Sequence, residues 1–431
     1  MLINKKGPLK GVLFVPGDKS ISHRAVMLGS LANGTTYISN FLHGQDCLAT
    51  INCFKQMGIE IEHKIQENTV SIEGKGLHGL KRPKSILDIG NSGTSIRLLS
   101  GILSGQNFDT SITGDQSIRS RPMKRIIKPL RLMGADIVSD QDNDCAPLII
   151  NKFTQKTHLK GVHYRSPVSS AQVKSCVLLA GMYAQEETTL TEPTLSRNHT
   201  ELMISQLGGN VNVEGNTSTI LPQPRLTGTK IRVPGDISSA AYYIVAGLIV
   251  PNSEIVINNV GINPTRNGII QVCQDMGANI KIENVRYYGK EPVADIVVKH
   301  SELNGVEIFG DIIPTLIDEI PIIAVLACFA NGRTIIKDAE ELKVKESNRI
   351  DLVVDNLSKM GADISATEDG MIINGGKPLH GAVIDTKYDH RIAMAFAIAS
   401  LMAEGETKLL HPECADISYP GFYKDLESLT S

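Results

Sequence analysis

The sequence predicts an α/β protein assembled from six related modules, and three observations carry that prediction. First, an apolar stretch rich in small residues runs six times into a Gly-, Glu- or Asn-marked break and then a β-branched strand. The copies are AVMLGSLANGTTYI, LLSGILSGQNFDTSIT, VLLAGMYAQEETTLT, IVAGLIVPNSEIVI, AVLACFANGRTII and AIASLMAEGETKLL. Second, MGIEI, MGADI, LGGNV, MGANI and MGADI begin at Met57, Met133, Leu207, Met276 and Met360 and keep the same beat. The period of about 70 to 85 residues is too long for ordinary solenoid repeats, so each copy reads as a small α/β module. Third, VPGD occurs twice, as Val15–Asp18 and Val233–Asp236, and divides the chain into two lobes of three modules.

Within each module the small and branched residues predict a packed helix, and the Gly break leads into a strand. A more polar helix then ends at the MG signal, where Gly suits a C-cap. Strands such as ADIV and ANIKI complete the unit. Modules are expected to start near residues 18, 90, 168, 236, 316 and 388. Asp18 and Asp236 stand where an N-cap is wanted. No Pro/Ser-rich linker separates the lobes, so close-coupled lobes joined by two short crossovers are expected.

Composition narrows the function classes. A 431-residue chain with 42 % apolar residues, 4 % aromatics and no Trp builds its core from Ile, Leu, Val and Ala. A net charge of −3 gives no reason to expect nucleic acid or an anionic membrane as partner. Seven Cys are scattered singly with no CxxC and no Cys/His cluster, which points to reduced thiols and to no metal site. The start MLINKKGPLKG has no apolar signal region, and no uninterrupted span approaches ~18 apolar residues. A soluble cytoplasmic protein is expected.

The chemistry concentrates at the helix starts. These read Asp18-Lys19-Ser20-Ile21-Ser22-His23-Arg24, Asn91-Ser92-Gly93-Thr94-Ser95-Ile96-Arg97, Ser169-Ser170-Ala171-Gln172-Val173-Lys174 and Lys387-Tyr388-Asp389-His390-Arg391. A helix N-terminus offers free N–H groups and the positive end of the dipole. Cations there are unfavourable unless an anionic ligand compensates them. Four such starts in a net-negative chain suggest a pocket for polyanionic small molecules. The loop Gly114–Pro122 adds Arg119 and Arg121. In Lys343–Arg349, Lys345 and Arg349 would share a helical face if the segment is helical. Asp318-Glu319 opens the fifth module, where an acidic pair ordinarily caps a helix.

GDKSISHR, GNSGTSIR, SIRSRPM, SSAQVKS, LKVKESNRI and YDHRIAMA together resemble the motif series of the 5-enolpyruvylshikimate-3-phosphate synthase (3-phosphoshikimate 1-carboxyvinyltransferase) family, in order and over essentially the whole chain. The resemblance implies a two-lobed inside-out α/β barrel of six βαβαββ repeats with buried helices. Its lobes would be residues 1–17 plus 235–431 and residues 18–234, with the active site in the cleft between them. It implies transfer of the enolpyruvyl group of phosphoenolpyruvate to the 5-hydroxyl of shikimate 3-phosphate. The reaction passes through a tetrahedral adduct and loses phosphate, with no metal or organic cofactor and a monomer sufficing. Carried over by motif, Lys19, Ser20, Arg24, Ser169, Ser170, Gln172, Ser196, Arg197, Asp318 and Lys345 would bind shikimate 3-phosphate. Lys19, Asn91, Gly93, Arg121, Gln172, Arg349 and Arg391 would bind phosphoenolpyruvate, the Arg forks matching phosphate and carboxylate. Asp318 is the candidate base for the 5-hydroxyl, Glu346 the candidate acid and base at the methylene, and Lys19 the candidate donor to departing phosphate.

Three positions depart from the family pattern. Ser92 stands where many members have Ala, which is expected to add bulk beside the phosphoenolpyruvate site. Cys414–Pro420 lacks the Lys that many place there, and Glu341 stands where some have Asn. The first two imply a less glyphosate-sensitive enzyme. The sister transferase acting on UDP-N-acetylglucosamine would show Lys-Asn at the first helix and a Cys in the loop. This chain has Lys19-Ser20 and no Cys between Asp115 and Arg125. A non-catalytic phosphate-ligand binder of the same fold would need no acid–base pair. Nucleic-acid binding is opposed by the charge and the sparse aromatics.

Overall fold

The computed structural model describes residues 1–152 and 159–430. The chain divides into two compact units. One comprises Met1–Pro16, Pro234–Tyr287 and Pro292–Ser431; the other comprises Gly17–Val233 and Tyr288–Glu291. Both long divisions fall inside the VPGD tetrapeptides, one residue earlier than expected. Residues 288–291, expected with the C-terminal lobe, group with the other unit.

Strands are organised in six separate sheets. In the second repeat Leu87–Asp88 runs parallel to Thr110–Thr113, which is antiparallel to Leu148–Asn151, itself antiparallel to Asp136–Ser139. The third and fifth repeats copy this order with His163–Arg165, Thr188–Thr191, Thr217–Ile220 and Val211–Glu214, and with Glu307–Ile308, Arg333–Ile336, Met371–Asn374 and Asp363–Ala366. A parallel pair needs a crossover, and each repeat's buried helix supplies it. The first repeat takes its parallel edge strand, Lys230–Arg232, from the far end of its own unit, against Asn33–Ser39. The N-terminal segment does the same for the other unit. Lys10–Phe14 lies parallel to Glu254–Gly261, and Leu2–Ile3 completes a three-stranded sixth sheet. Residues 1–16 therefore belong with the C-terminal repeats. No sheet closes on itself among the described residues, because every repeat keeps its own edges. The expected α/β repeats are present, and the barrel is not a closed sheet.

The six core helices are Lys19–Leu31, Gly93–Leu103, Ala171–Gly181, Ile237–Ile249, Ile320–Cys328 and His390–Ser400. Each begins within a few residues of the expected module start. Every residue of the last three is buried, which is why these stretches show no polar face. Buried hydroxyls in the first, second and sixth core helices turn back on the helix: Ser30, Ser100 and Ser400 donate to Val26 O, Ile96 O and Phe396 O at 2.7, 2.7 and 2.6 Å. Each unit has its own apolar core. The polar helices Gln45–Gln56, Lys124–Leu132, His199–Gln206, Gly268–Asp275 and Arg349–Lys359 all stop at the MG/LG signal. The five glycines that follow take φ of 87°, 93°, 94°, 91° and 89°, the left-handed cap that a side chain resists.

Close helix approach fixes the second unit's interior. A Cβ on Gly101 would lie 2.3 Å from the backbone oxygen of Cys176. His23 is fully buried, with Nδ1 2.8 Å from Thr50 Oγ1 and Nε2 without a partner. Burial, then the charges of Lys19 and Arg24, hold its pKa well below the usual value of about 6.5.

Gly101→Val is expected to destabilise the protein by about 1–3 kcal/mol, because backbone cannot yield as a side chain can. Urea unfolding beside the wild type checks this, and equal stability would contradict the packing. Below pH ~6.5 the unfolded chain protonates His23 while the folded one resists. Stability should therefore be complete above that pH and fall with acidification, by at most about 1.4 kcal/mol per pH unit from this group. Unfolding curves between pH 7.5 and 5 should be flatter for His23→Gln than for the wild type.

Candidate active site

In the unit built from the first three repeats, the three cation-bearing helix starts are tied into a triangle. Asp18 caps the first helix by accepting from Ile21 N at 2.8 Å, so Lys19 and Arg24 project from its first two turns. Ser92 caps the second, accepting from Ser95 N at 3.1 Å. Thr50 Oγ1 lies 2.7 Å from Ser95 Oγ and 2.8 Å from His23, joining first to second. Gln172 joins second to third: its Oε1 accepts from Arg97 Nη1 at 2.6 Å and its Nε2 donates to Thr94 at 3.3 Å. Arg24 closes the triangle from first to third, donating through Nη2 to Ser175 Oγ at 2.8 Å.

Arg24 is held by neutral groups. Arg24 also donates to Thr200 Oγ1 at 2.7 Å and to Ser20 O at 2.9 Å, and makes no direct ion pair among the described residues. Burial draws its pKa down from 12.5 to about 10, with Glu201 and Asp18 opposing, so it stays charged at neutral pH. Arg197 is half-buried and its charge opposes that of Arg24. Arg121 donates to Asn91 Oδ1 at 2.8 Å and Ser117 Oγ at 3.0 Å. A Cβ on Gly93 would stand 3.0 Å from Arg97 Nη1 and 3.1 Å from Arg121 Nη1, so two guanidinium groups meet over a residue without a side chain. Lys19 pairs with Asp46 at 3.0 Å.

Beneath the third helix start lies a buried ionic cluster. Lys174 Nζ is 3.1 Å from Glu192 Oε2 and 3.0 Å from Glu201 Oε1, and donates to Ser196 O at 2.9 Å. Glu192 accepts from Ser170 N at 2.9 Å, from Ser196 N at 3.0 Å and from Ser196 Oγ at 2.8 Å. Ser169 and Ser170 use their oxygens as acceptors, from Thr194 N at 2.9 Å and Val173 N at 3.5 Å. Their O–H protons have no partner among the described residues.

In the other unit, charges of alternating sign form a ladder. Arg266 meets Glu319 at 2.7 Å and Asp236 at 3.6 Å, and bonds Ser238, which in turn bonds Glu319. Arg391 lies 3.6 Å from Glu319 and 3.7 Å from Asp318, and donates to Asp318 O at 3.0 Å. Arg349 lies 3.6 Å from Asp318, 2.6 Å from Glu346 and 2.8 Å from Asp389. Asp389 also accepts from Arg391 N at 2.9 Å and from Ser347 Oγ at 2.9 Å. Burial alone would lower the pKa of Arg349, but Asp389 and Glu346 outweigh it and raise it. Asp318, Glu319 and Asp236 are among the groups that do the same for Arg391. Burial opposes ionisation of Asp389, and Arg349 outweighs that.

Four sequence expectations change. Lys345 and Arg349 do not share a helical face. Asn348 accepts from Asp351 N at 3.4 Å and starts the helix at Arg349, while Lys345 sits before it and pairs with Glu341 at 3.0 Å. Asp318 and Glu319 cap nothing with their side chains; both face arginines. Ser92 is 1 % exposed, its hydroxyl turned inward as a cap rather than outward as bulk. Ser196 commits its proton to Glu192. Asp46, Arg97, Glu192, Lys174, Arg266, Glu319 and Asp389 were not singled out as site residues. A basic residue on the threshold of an apolar helix run was the available signal for Arg97 and Lys174. Glu192 and Glu201, the acidic partners of Lys174, lie outside the motifs and gave none.

A family model for EPSP synthase (3-phosphoshikimate 1-carboxyvinyltransferase) matches residues 3–426. The 3-phosphoshikimate 1-carboxyvinyltransferase of Thermoanaerobacter pseudethanolicus is 57 % identical over 427 residues, covering 99 % of both chains. That of Bacillus cytotoxicus is 54 % identical over 427 residues, again 99 % of both. The solved EPSP synthase from Acinetobacter baumannii superposes with a TM-score of 0.89 at 45 % identity, covering 100 % of this chain and 97 % of that one. The enolpyruvyl transferase NikO from Streptomyces tendae gives 0.80 at 17 % identity, covering 99 % and 96 %, a likeness of fold. With its six α/β repeats and its cation-bearing helix starts, this chain belongs to the EPSP synthase (3-phosphoshikimate 1-carboxyvinyltransferase) family.

Proposed function

We propose that the chain transfers the enolpyruvyl group of phosphoenolpyruvate to the 5-hydroxyl of shikimate 3-phosphate and releases phosphate, a step of aromatic amino-acid biosynthesis. The observation that carries this is the triangle of helix starts bearing Lys19, Arg24 and Arg97, with Arg121 meeting Arg97 over Gly93, in a chain of net charge −3. Two substrates with two phosphates and two carboxylates are the kind of anion that cation-bearing helix starts bind. Lys19, Ser20, Arg24, Ser169, Ser170, Gln172, Ser196, Arg197 and Lys345 serve shikimate 3-phosphate. Asn91, Gly93, Arg121, Arg349 and Arg391, with Lys19 and Gln172, serve phosphoenolpyruvate. In this reading residues of both units act in one reaction.

Asp318 takes the proton of the 5-hydroxyl. Its neighbours Arg349 and Arg391 favour the charged carboxylate, the form a base needs. Glu346 delivers a proton to the methylene and later removes one from the resulting methyl. Its bond to Arg349 favours the charged form, so anionic phosphoenolpyruvate beside Arg349 is needed to offset that guanidinium and raise the carboxyl's proton affinity. Lys19 protonates the departing phosphate. We read the enzyme as a cytoplasmic monomer. Its seven cysteines are free thiols, and no helix among the described residues is long and apolar enough to cross a membrane. The UDP-N-acetylglucosamine transferase is not favoured, given the family match and Ser20 after Lys19.

Purified protein mixed with shikimate 3-phosphate and phosphoenolpyruvate should release inorganic phosphate, and shikimate without its phosphate should nearly abolish the release. No release from folded protein would refute the assignment. Asp318→Ala and Lys19→Ala should each lower kcat by roughly 10²-fold or more with an unchanged Tm. Near-normal turnover in either would remove that residue's role. Because Ser92 points inward, reduced glyphosate sensitivity rests on the missing cation in Cys414–Pro420. The inhibition constant at modest phosphoenolpyruvate should lie above the low micromolar range, and a tighter one would end that reading.

A further inference from the structure

The Lys174–Glu192–Glu201 cluster takes no part in the mechanism above, yet it is among the most buried charge in its unit, with side-chain exposures of 1, 0 and 3 %. Its bonds are directed. Through Oε1, Glu192 holds the N–H of Ser170 at the third helix start; through Oε2 it holds the N–H and O–H of Ser196. One carboxylate thus joins the Ser169-Ser170-Gln172 segment to the loop carrying Ser196 and Arg197. Lys174 directs its three protons to Glu192, Glu201 and Ser196 O, a full set for an ammonium. An acceptor-only group is required at position 192, because an amide would turn a donor toward donors. A bare carboxylate there would repel a phosphate, and Lys174 offsets it. Glu201 leaves one negative charge in the cluster, and that charge acts on Arg24.

We propose that Glu192 is a positioning residue for the phosphate-bearing end of shikimate 3-phosphate. It sets Ser170, Ser196 and Arg197 before the ligand arrives, with Lys174 as its internal counter-ion. The inference rests on the function proposed above. Ser196 acts through this clamp by donating to Glu192, whereas Ser169 and Ser170 keep their O–H protons for the ligand. Preset geometry lowers the ordering cost of binding, so its loss should appear as weakened substrate binding more than as slowed chemistry.

The test is a double-mutant cycle of Glu192→Gln and Ser196→Ala, by steady-state kinetics and by direct titration with shikimate 3-phosphate and with shikimate. Glu192→Gln should raise KM and Kd for shikimate 3-phosphate at least tenfold. KM for phosphoenolpyruvate, kcat and the Kd for shikimate should each move less than threefold, a split that general loss of structure would not produce. Ser196→Ala should shift the same constants, and the double variant should be no worse than the larger single. Multiplying effects would mean that Ser196 meets the ligand directly and would overturn the clamp. An unchanged KM for shikimate 3-phosphate in Glu192→Gln, beside an active wild type, would overturn it and leave the function standing; an inactive wild type would overturn the function itself. If Glu192→Gln does not fold, Glu192→Asp takes its place in the cycle. Amide exchange on the wild type gives an independent reading. The Ser170 and Ser196 amides should be protected without ligand and gain less than threefold on adding shikimate 3-phosphate; a large gain would show that the ligand orders them.

Discussion

A charged side chain inside an apolar core must find either hydrogen bonds on every donor or a counter-charge, and much of this structure follows from that requirement. Four of the six core helices carry a cation within two turns of their N-terminus: Arg24, Arg97, Lys174 and Arg391. All four are buried, at positions where the helix dipole also works against them. The caps Asp18, Ser92, Ser170 and Asp389, the cross-links through Thr50, Gln172 and Ser175, and the Glu192 and Glu319 clusters can be understood as what keeps those cations charged and fixed.

The two units answer the requirement differently. In the first three repeats, hydroxyls, amides and carbonyls grip Arg24, Arg97 and Arg121. A neutral partner holds a guanidinium in place without opposing its charge. In the last three repeats, Arg266, Arg349 and Arg391 alternate with Asp236, Glu319, Asp318, Glu346 and Asp389. That arrangement cancels much of the charge, and Arg349 holds the buried Asp389 carboxyl below its usual pKa. One unit is thus suited to gripping phosphate and the other to holding a base. A transferase acting between two phosphorylated acids needs both properties.

The backbone supports this with few devices, used repeatedly. Left-handed glycines end the five polar helices at the same point of each repeat, so the following strands always leave in the same direction. Tight glycine contacts, such as Gly101 over Cys176, bring core helices close enough for side chains on neighbouring helix starts to meet. Lys230–Arg232 and Lys10–Phe14 complete the first sheet of each unit from a distant part of the chain, and Leu2–Ile3 completes the last.

Periodicity and capping chemistry are local properties, and the chain alone determined them. The six modules, the helix starts near Lys19, Gly93, Ala171, Ile237, Ile320 and His390 and the MG stops were all legible. So was the motif series that links the chain to its family. What the sequence could not give were partnerships between residues far apart in number. Asp389 lies forty residues from Arg349, and Glu192 and Glu201 act from beyond the motifs. Whether a Ser donates to a ligand or to a buried carboxylate, and whether Lys345 belongs to the helix of Arg349, depends on which atoms the fold brings within ~3 Å, where hydrogen bonds form. Spacing along the chain specifies elements; only their packing decides which charges cancel and which remain to meet a substrate.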